Sequence, residues 1–153
     1  MVKIFLCFVI CILVWIPKII FAQQNKAELC FKNIPKNQIP FFYQFKIKYP
    51  VGSETLAKQI NNFTKSLPEG EGYITCNFFI NCNGEIIDLT ISETDSNHNT
   101  TSFNSNYISE VESFLKNLKS WPIPKYNNTQ FVAEYRSFLS FKILKGKVHE
   151  VIP

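Results

Sequence analysis

The sequence predicts an α+β domain: an antiparallel β-sheet packed against two α-helices. Ile74, Cys76, Phe78, Ile80 and Cys82 alternate with polar residues up to Asn83-Gly84, which marks a strand entering a hairpin. Two other stretches repeat their apolar residues at helical spacing instead: Leu56, Ile60, Phe63 and Leu67, then Ile108, Val111, Leu115 and Leu118. The resulting order, strand, helix, hairpin, helix, strand, packs most economically with both helices on one face of the sheet.

Each element has local support. Phe41, Tyr43, Phe45, Ile47 and Tyr49 alternate with Phe42, Gln44, Lys46 and Lys48, so a half-buried strand is expected between Pro40 and Pro50. Ser53 is the expected N-cap of the first helix, Glu54 suits its first turn, and Pro68 and Gly70 close it. After the Asn83-Gly84 turn, with positive φ expected at both central positions, the return strand spans Glu85–Ser92. Ile87, Leu89 and Ile91 share one of its faces. Glu93–Asn106 is polar and reads as a solvated loop. The second helix starts near Tyr107, with Phe114 and Trp121 flanking its stripe, and stops at Pro122 and Pro124. The last long strand is expected over Gln130–Leu144. Phe131, Ala133, Tyr135, Leu139, Phe141 and Ile143 lie on its inner face, and Val148–Ile152 adds a short strand after Lys145-Gly146.

The first 22 residues read as an export signal. Lys3 precedes the apolar run Ile4–Ile16, and Ala22 supplies the small residue at the cut. The run falls short of the ~20 apolar residues of a comfortable bilayer span. Cleavage is therefore expected, and an uncleaved inner-membrane anchor is the alternative. The domains are then 1–22 signal peptide, 23–48 lead-in segment and 49–153 the α+β domain. The leader holds Lys3 and Lys18 and none of the 12 acidic residues, which leaves a net charge of +2 on the mature chain. No Lys/Arg cluster remains to track phosphates, which excludes nucleic acid as an expected partner.

Three cysteines remain outside the leader, Cys30, Cys76 and Cys82. On one strand Cys76 and Cys82 stand roughly 20 Å apart at ~3.3 Å per residue. That is too far for a bridge, whose Cα atoms lie about 4.4–6.8 Å apart. Any bridge must use Cys30, and Cys30–Cys82 with Cys76 as a buried thiol is one reading. The absence of a bridge is the other.

With these elements placed, the chain resembles the C-terminal domain of TonB in its small exported form. The resemblance rests on Tyr49-Pro50-x-Gly52, on Gly72-x5-Phe78-x-Ile80-x3-Gly84-x-Ile86, and on Trp121 with Pro124. Val132, Tyr135 and Phe141-Lys142-Ile143 complete it. Lys125 stands where a typical member has Gly, Asn81-Cys82-Asn83 replaces the usual acidic residue before the hairpin Gly, and no Pro-rich spacer follows the leader.

The resemblance implies a periplasmic or secreted protein-binding module. Its partner is an extended segment of an outer-membrane receptor or periplasmic protein, bound by β-augmentation, with a link to TonB-dependent transport. It places the binding edge on the last long strand, at Gln130, Val132, Glu134, Arg136 and Phe138, with Tyr49 and Pro50 lining a neighbouring groove. The residues allow the opposite too, because Phe41–Lys48 and Val148–Ile152 are both able to cover that edge. Trp121 reads first as a helix end tucked against the sheet and second as a surface anchor. A self-associating scaffold subunit, as a homodimer, is a second functional reading, and a thiol enzyme using Cys76 or Cys82 a third.

Enzyme chemistry finds little footing. His98 and His149 are the only histidines, one in the polar loop and one near the C-terminus. No local signature joins either to a cysteine as a nucleophile–base–orienter set, and Cys82–His98 is the one pair left open. Cys76-x5-Cys82 lacks zinc-ligand spacing, and no Gly-rich phosphate loop occurs, so no metal or cofactor is expected.

Overall fold

The structure, a computed structural model, describes residues 35–124 and 134–153. The chain divides into two units between Lys36 and Asn37, and the elements below belong to the second. The leader, Cys30, Gln130 and Val132 lie outside the described residues.

Helix α1 (Ser53–Phe63) is followed by the hairpin of β1 (Gly72–Ile80) and β2 (Ile86–Asp95), then by α2 (Ser105–Asn117), β3 (Tyr135–Leu144) and β4 (Lys147–Ile152). The four strands form one antiparallel sheet in the order β2-β1-β3-β4. The α+β fold predicted from the sequence is thus the fold observed.

β1 reads as expected, with Ile74, Cys76, Phe78 and Ile80 all buried and Cys82 buried just beyond them. Its partner β3 contributes Tyr135, Leu139, Phe141 and Ile143 to the same buried face, with Ile74 opposite Phe141 and Cys76 opposite Leu139. The helices cover this face. α2 buries Tyr107, Val111, Phe114 and Leu115, and Phe114 meets Phe141 edge-on at 6.5 Å. Asn104 caps α2, its side chain accepting from the N–H groups of Asn106 and Tyr107. Trp121 is buried against Phe78 at 5.1 Å, so it is core rather than a surface anchor.

Gly72 must be glycine because a Cβ there would stand 2.0 Å from the carbonyl oxygen of Thr94 on the neighbouring strand.

Five local expectations are corrected. Phe41–Tyr49 is not a strand: Phe42–Phe45 forms a 3-10 helix ended by Lys46 in the left-handed region. Bonds from Gln44 N–H to Phe41 O and from Lys46 N–H to Tyr43 O curl a segment that has no neighbouring strand over its whole length. Ser53 does not cap α1. Gly52 holds that position, and the Ser53 hydroxyl reaches β4 instead. The helix ends at Phe63, so Leu67 falls beyond the stripe and is exposed.

The hairpin turn is not the two-residue kind. Gly84 N–H bonds Asn81 O and Asn81 N–H bonds Glu85 O, and of the turn residues Gly84 alone has positive φ, at 74°. This is a type I turn followed by a glycine bulge. The Asn81 carboxamide supports it by accepting from the N–H groups of Asn83 and Glu85.

β2 continues to Asp95, further than its polar sequence suggested, and a bulge at Asp88 (φ 50°) breaks its alternation. Ile91 therefore faces the core opposite Cys76, while Ile87 pairs with Phe79 on the other face.

α1 lies along the outer side of β4 and closes it. The Ser53 hydroxyl donates to Val151 O and accepts from Val151 N–H, and the Asn61 carboxamide donates to Val148 O at 2.8 Å and accepts from Val148 N–H at 2.9 Å. Replacing Asn61 by Ala leaves both Val148 groups unpaired at a partly buried site. Stability should fall by about 1–3 kcal/mol, read as a lower denaturant midpoint at unchanged m-value. Lys58→Ala, which removes only an exposed ion pair with Glu54, is the near-neutral control.

Candidate functional site

β3 is an interior strand, so the sequence-predicted binding edge is only partly an edge. β1 lies along one side of it. On the other side β4 pairs with Ser140–Leu144 and stops at Ile152, opposite Ser140. The stretch before Ser140 runs on past β4. Even-numbered residues of β3 direct their backbone groups toward this side, since Arg136 N–H donates to Pro40 O at 2.8 Å. Phe41 forms a parallel bridge with Arg136. Phe138 lies between that bridge and the end of β4, and no strand of the sheet stands opposite it among the described residues.

The side chains here form an aromatic cluster on the helix-free face. The Arg136 guanidinium lies 5.4 Å from the centroids of both the Phe41 and Phe79 rings. Phe42 meets Phe138 edge-on at 5.9 Å, and Tyr43 stacks on Phe41 at 5.4 Å. Phe41 is 38% and Tyr43 60% exposed, so part of this apolar surface faces water. Glu134 precedes β3. Its carboxyl is held above the ordinary range by burial and, secondarily, by the negative charge of Asp88.

Of the sequence-predicted residues, Glu134, Arg136 and Phe138 thus follow one another along the open stretch. Tyr49 and Pro50 are not part of it. Tyr49 stacks on Trp121 at 4.4 Å and donates to Lys119 O, on the helix-covered side. There it lines an open groove of about 550 Å³ with Val51, Phe63, Phe114 and Leu118, while Pro50 is exposed. Sequence reasoning allowed Phe41–Lys48 to cover this edge; the structure pairs Phe41 with Arg136 there, and the share taken by Pro40 was missed. The available signal was the Phe41-Phe42 doublet, which puts aromatic rings on both faces of any strand drawn there.

Cys82 is disulfide-bonded, while Cys76 is free and buried. Burial, followed by the charge of Glu112, pushes the Cys76 thiol up to about 12. His98 stacks on Tyr73 at 5.2 Å, and His149 is exposed on β4. Among the described residues no three His, Cys, Asp or Glu side chains gather to hold a metal ion, and no helix is long and apolar enough to cross a membrane. No family model, curated protein or solved structure matches the chain.

The buried acids give a pH dependence of defined sign. Cys76, Tyr107 and Tyr135 are each pushed up to about 12, chiefly by burial, from ordinary values of 9.0, 10.0 and 10.0. Between those values and about 12 the folded chain holds protons that the unfolded chain has lost, so stability falls as pH rises through that window. Denaturant midpoints measured from pH 8 to 12 should decline from about pH 9, and Cys76→Ala should shallow the early part of the decline. A flat profile would contradict the burial of these groups.

Proposed function

We propose that the chain is an exported, non-enzymatic protein-binding module that takes an extended segment of a periplasmic or outer-membrane partner by β-augmentation at the open stretch of β3. One observation carries the reading: this edge already accepts an extended segment, because Pro40 and Phe41 pair with Arg136 in the manner of an added strand. The other sheet edges are less receptive. The outer side of β4 is occupied by Ser53 and Asn61, and β2 is kinked at Asp88 and overlaid by Asn99–Thr101 at its far end.

The element order of two helices around a hairpin and a returning strand supports the resemblance to TonB C-terminal domains, and with it a role beside TonB-dependent receptors. Export is supported by the leader-like Met1–Ala22 and by a disulfide at Cys82, since disulfides persist in oxidising compartments. The non-enzymatic reading is supported by Cys76, whose thiol is protonated at neutral pH and buried.

Amide hydrogen exchange tests the proposal. Extended plug or periplasmic-tail peptides of outer-membrane receptors should slow exchange at Phe138. N-methylation of alternate peptide amides should weaken binding about tenfold or more, as loss of backbone pairing demands. Binding that leaves Phe138 exchange unchanged would place the partner elsewhere and defeat the reading.

A further inference from the structure

Building on that reading, we infer that Pro40-Phe41-Phe42 holds the place of the partner, and that the partner is a proline–aromatic extended segment.

The strap has the geometry of a bound peptide. Phe41 is extended, with φ −83° and ψ 151°. Pro40 supplies the carbonyl that Arg136 N–H needs, and proline favours an extended residue before it. Both rings lie over the one face of β3 that carries Arg136 and Phe138: the Phe41 ring lies against the Arg136 guanidinium and the Phe42 ring against Phe138.

The receiving surface fits aromatic rings. Arg136 offers a planar cation that also lies 5.4 Å from the Phe79 ring, and Phe138 offers an aromatic partner. A ligand carrying small polar residues would give up both contacts.

The strap uses little of what the edge offers. It bridges β3 at the single residue Arg136, then turns into the 3-10 helix from Phe42. Among the described residues, the backbone of Phe138 has no strand opposite it, although it lies in line with β4. An incoming segment that remains extended would pair at Arg136 and at Phe138, one rung more than the strap makes, and would set aromatic rings two positions apart over those two residues, which share one face of β3. It displaces the strap by using the same groups more completely.

The experiment uses the full chain and, as probe, a fluorescein-labelled synthetic peptide with the sequence of residues 37–46. A second peptide has Ala at the positions of Phe41 and Phe42. Weakening the strap by Phe41→Ala, at an exposed position, removes a competitor. The first peptide should then bind about two- to fivefold tighter than to the unaltered chain, the size expected for one lost cation–π contact. Tyr43→Ala, which removes the stacking on Phe41 and an edge contact with Phe42 but no contact with β3, should give a smaller gain in the same direction. The Ala-substituted peptide should bind at least tenfold more weakly than the first.

Equal binding of both peptides, or no gain on Phe41→Ala, would overturn the inference. If receptor peptides lacking aromatic residues still slow Phe138 exchange in that case, augmentation stands and only the place-holder inference fails. If no peptide of either kind slows it, both fail. A concentration-dependent dimer abolished by Phe41→Ala would instead make the occupant the strap of a second copy and would equally overturn a separate partner.

Discussion

The outer backbone of β4 finds its hydrogen-bond partners in two side chains of a helix, and the layout of the sheet follows from that. Ser53 and Asn61 are eight positions apart on α1, about 12 Å at 1.5 Å per residue. Their partners Val151 and Val148 are three apart on a strand, about 10 Å at ~3.3 Å per residue. The match fixes α1 antiparallel to β4 and in register with it. A helix held there leaves the middle of the sheet to α2, whose Phe114 then meets Phe63 of α1 at 5.6 Å. Glu110 secures the arrangement from α2 by accepting from the N–H groups of Lys65 and Ser66 at 2.8 and 3.0 Å, just past the end of α1.

The opposite edge is managed by different means. β2 carries Asp88 in the left-handed region at its bulge, and Asp95 N–H and Glu93 O bond to Asn99 and Thr101 of the returning loop. Charge adds to this. From Gly72 to Asn104 the chain has Glu85, Asp88, Glu93 and Asp95 and no Lys or Arg, whereas β3, β4 and their turn hold Arg136, Lys142, Lys145 and Lys147 against Glu150. Two β2 edges brought together would oppose like charges, which is unfavourable for sheet pairing. Kink, loop and charge thus protect β2, and helix side chains protect β4. The stretch of β3 beyond Ile152 is where neither device applies.

Much of this was legible in the sequence. β1 and the inner face of β3 bury the residues that strict alternation picked out, because a strand buried on one face has a period of two and tolerates no slip. The stripe of α2 was equally legible down to Trp121. What alternation could not show was decided by hydrogen bonds between distant residues. Ser53 looked like a cap because capping is local, yet its hydroxyl serves a strand 98 residues away. Phe41–Tyr49 alternated correctly and still curled, since a strand needs a neighbour and, among the described residues, Arg136 alone pairs with it. The strand proposed as the edge, β3, is interior and stands clear of β4 over only part of its length. The extent of that part depended on where β4 stops, which no residue of β3 encodes.

A place-holder on a binding edge has to satisfy two opposing demands. Left bare, the Arg136–Phe138 stretch would be a template for unwanted pairing, so some cover is useful. Held too firmly, the cover would exclude the partner, because apparent affinity falls in proportion to the fraction of molecules with the edge free. One backbone bridge, worth about 1 kcal/mol net, and one exposed cation–π contact, worth about 0.5–1 kcal/mol, leave the edge free in several molecules of every hundred. That reduces partner affinity by roughly 15- to 30-fold. A second backbone rung at Phe138, at about 1 kcal/mol, recovers about fivefold of that loss. The strap is therefore set, by its single bridge and its turn after Phe42, near the strength at which it shields the edge from casual contacts and yields to a segment that stays extended.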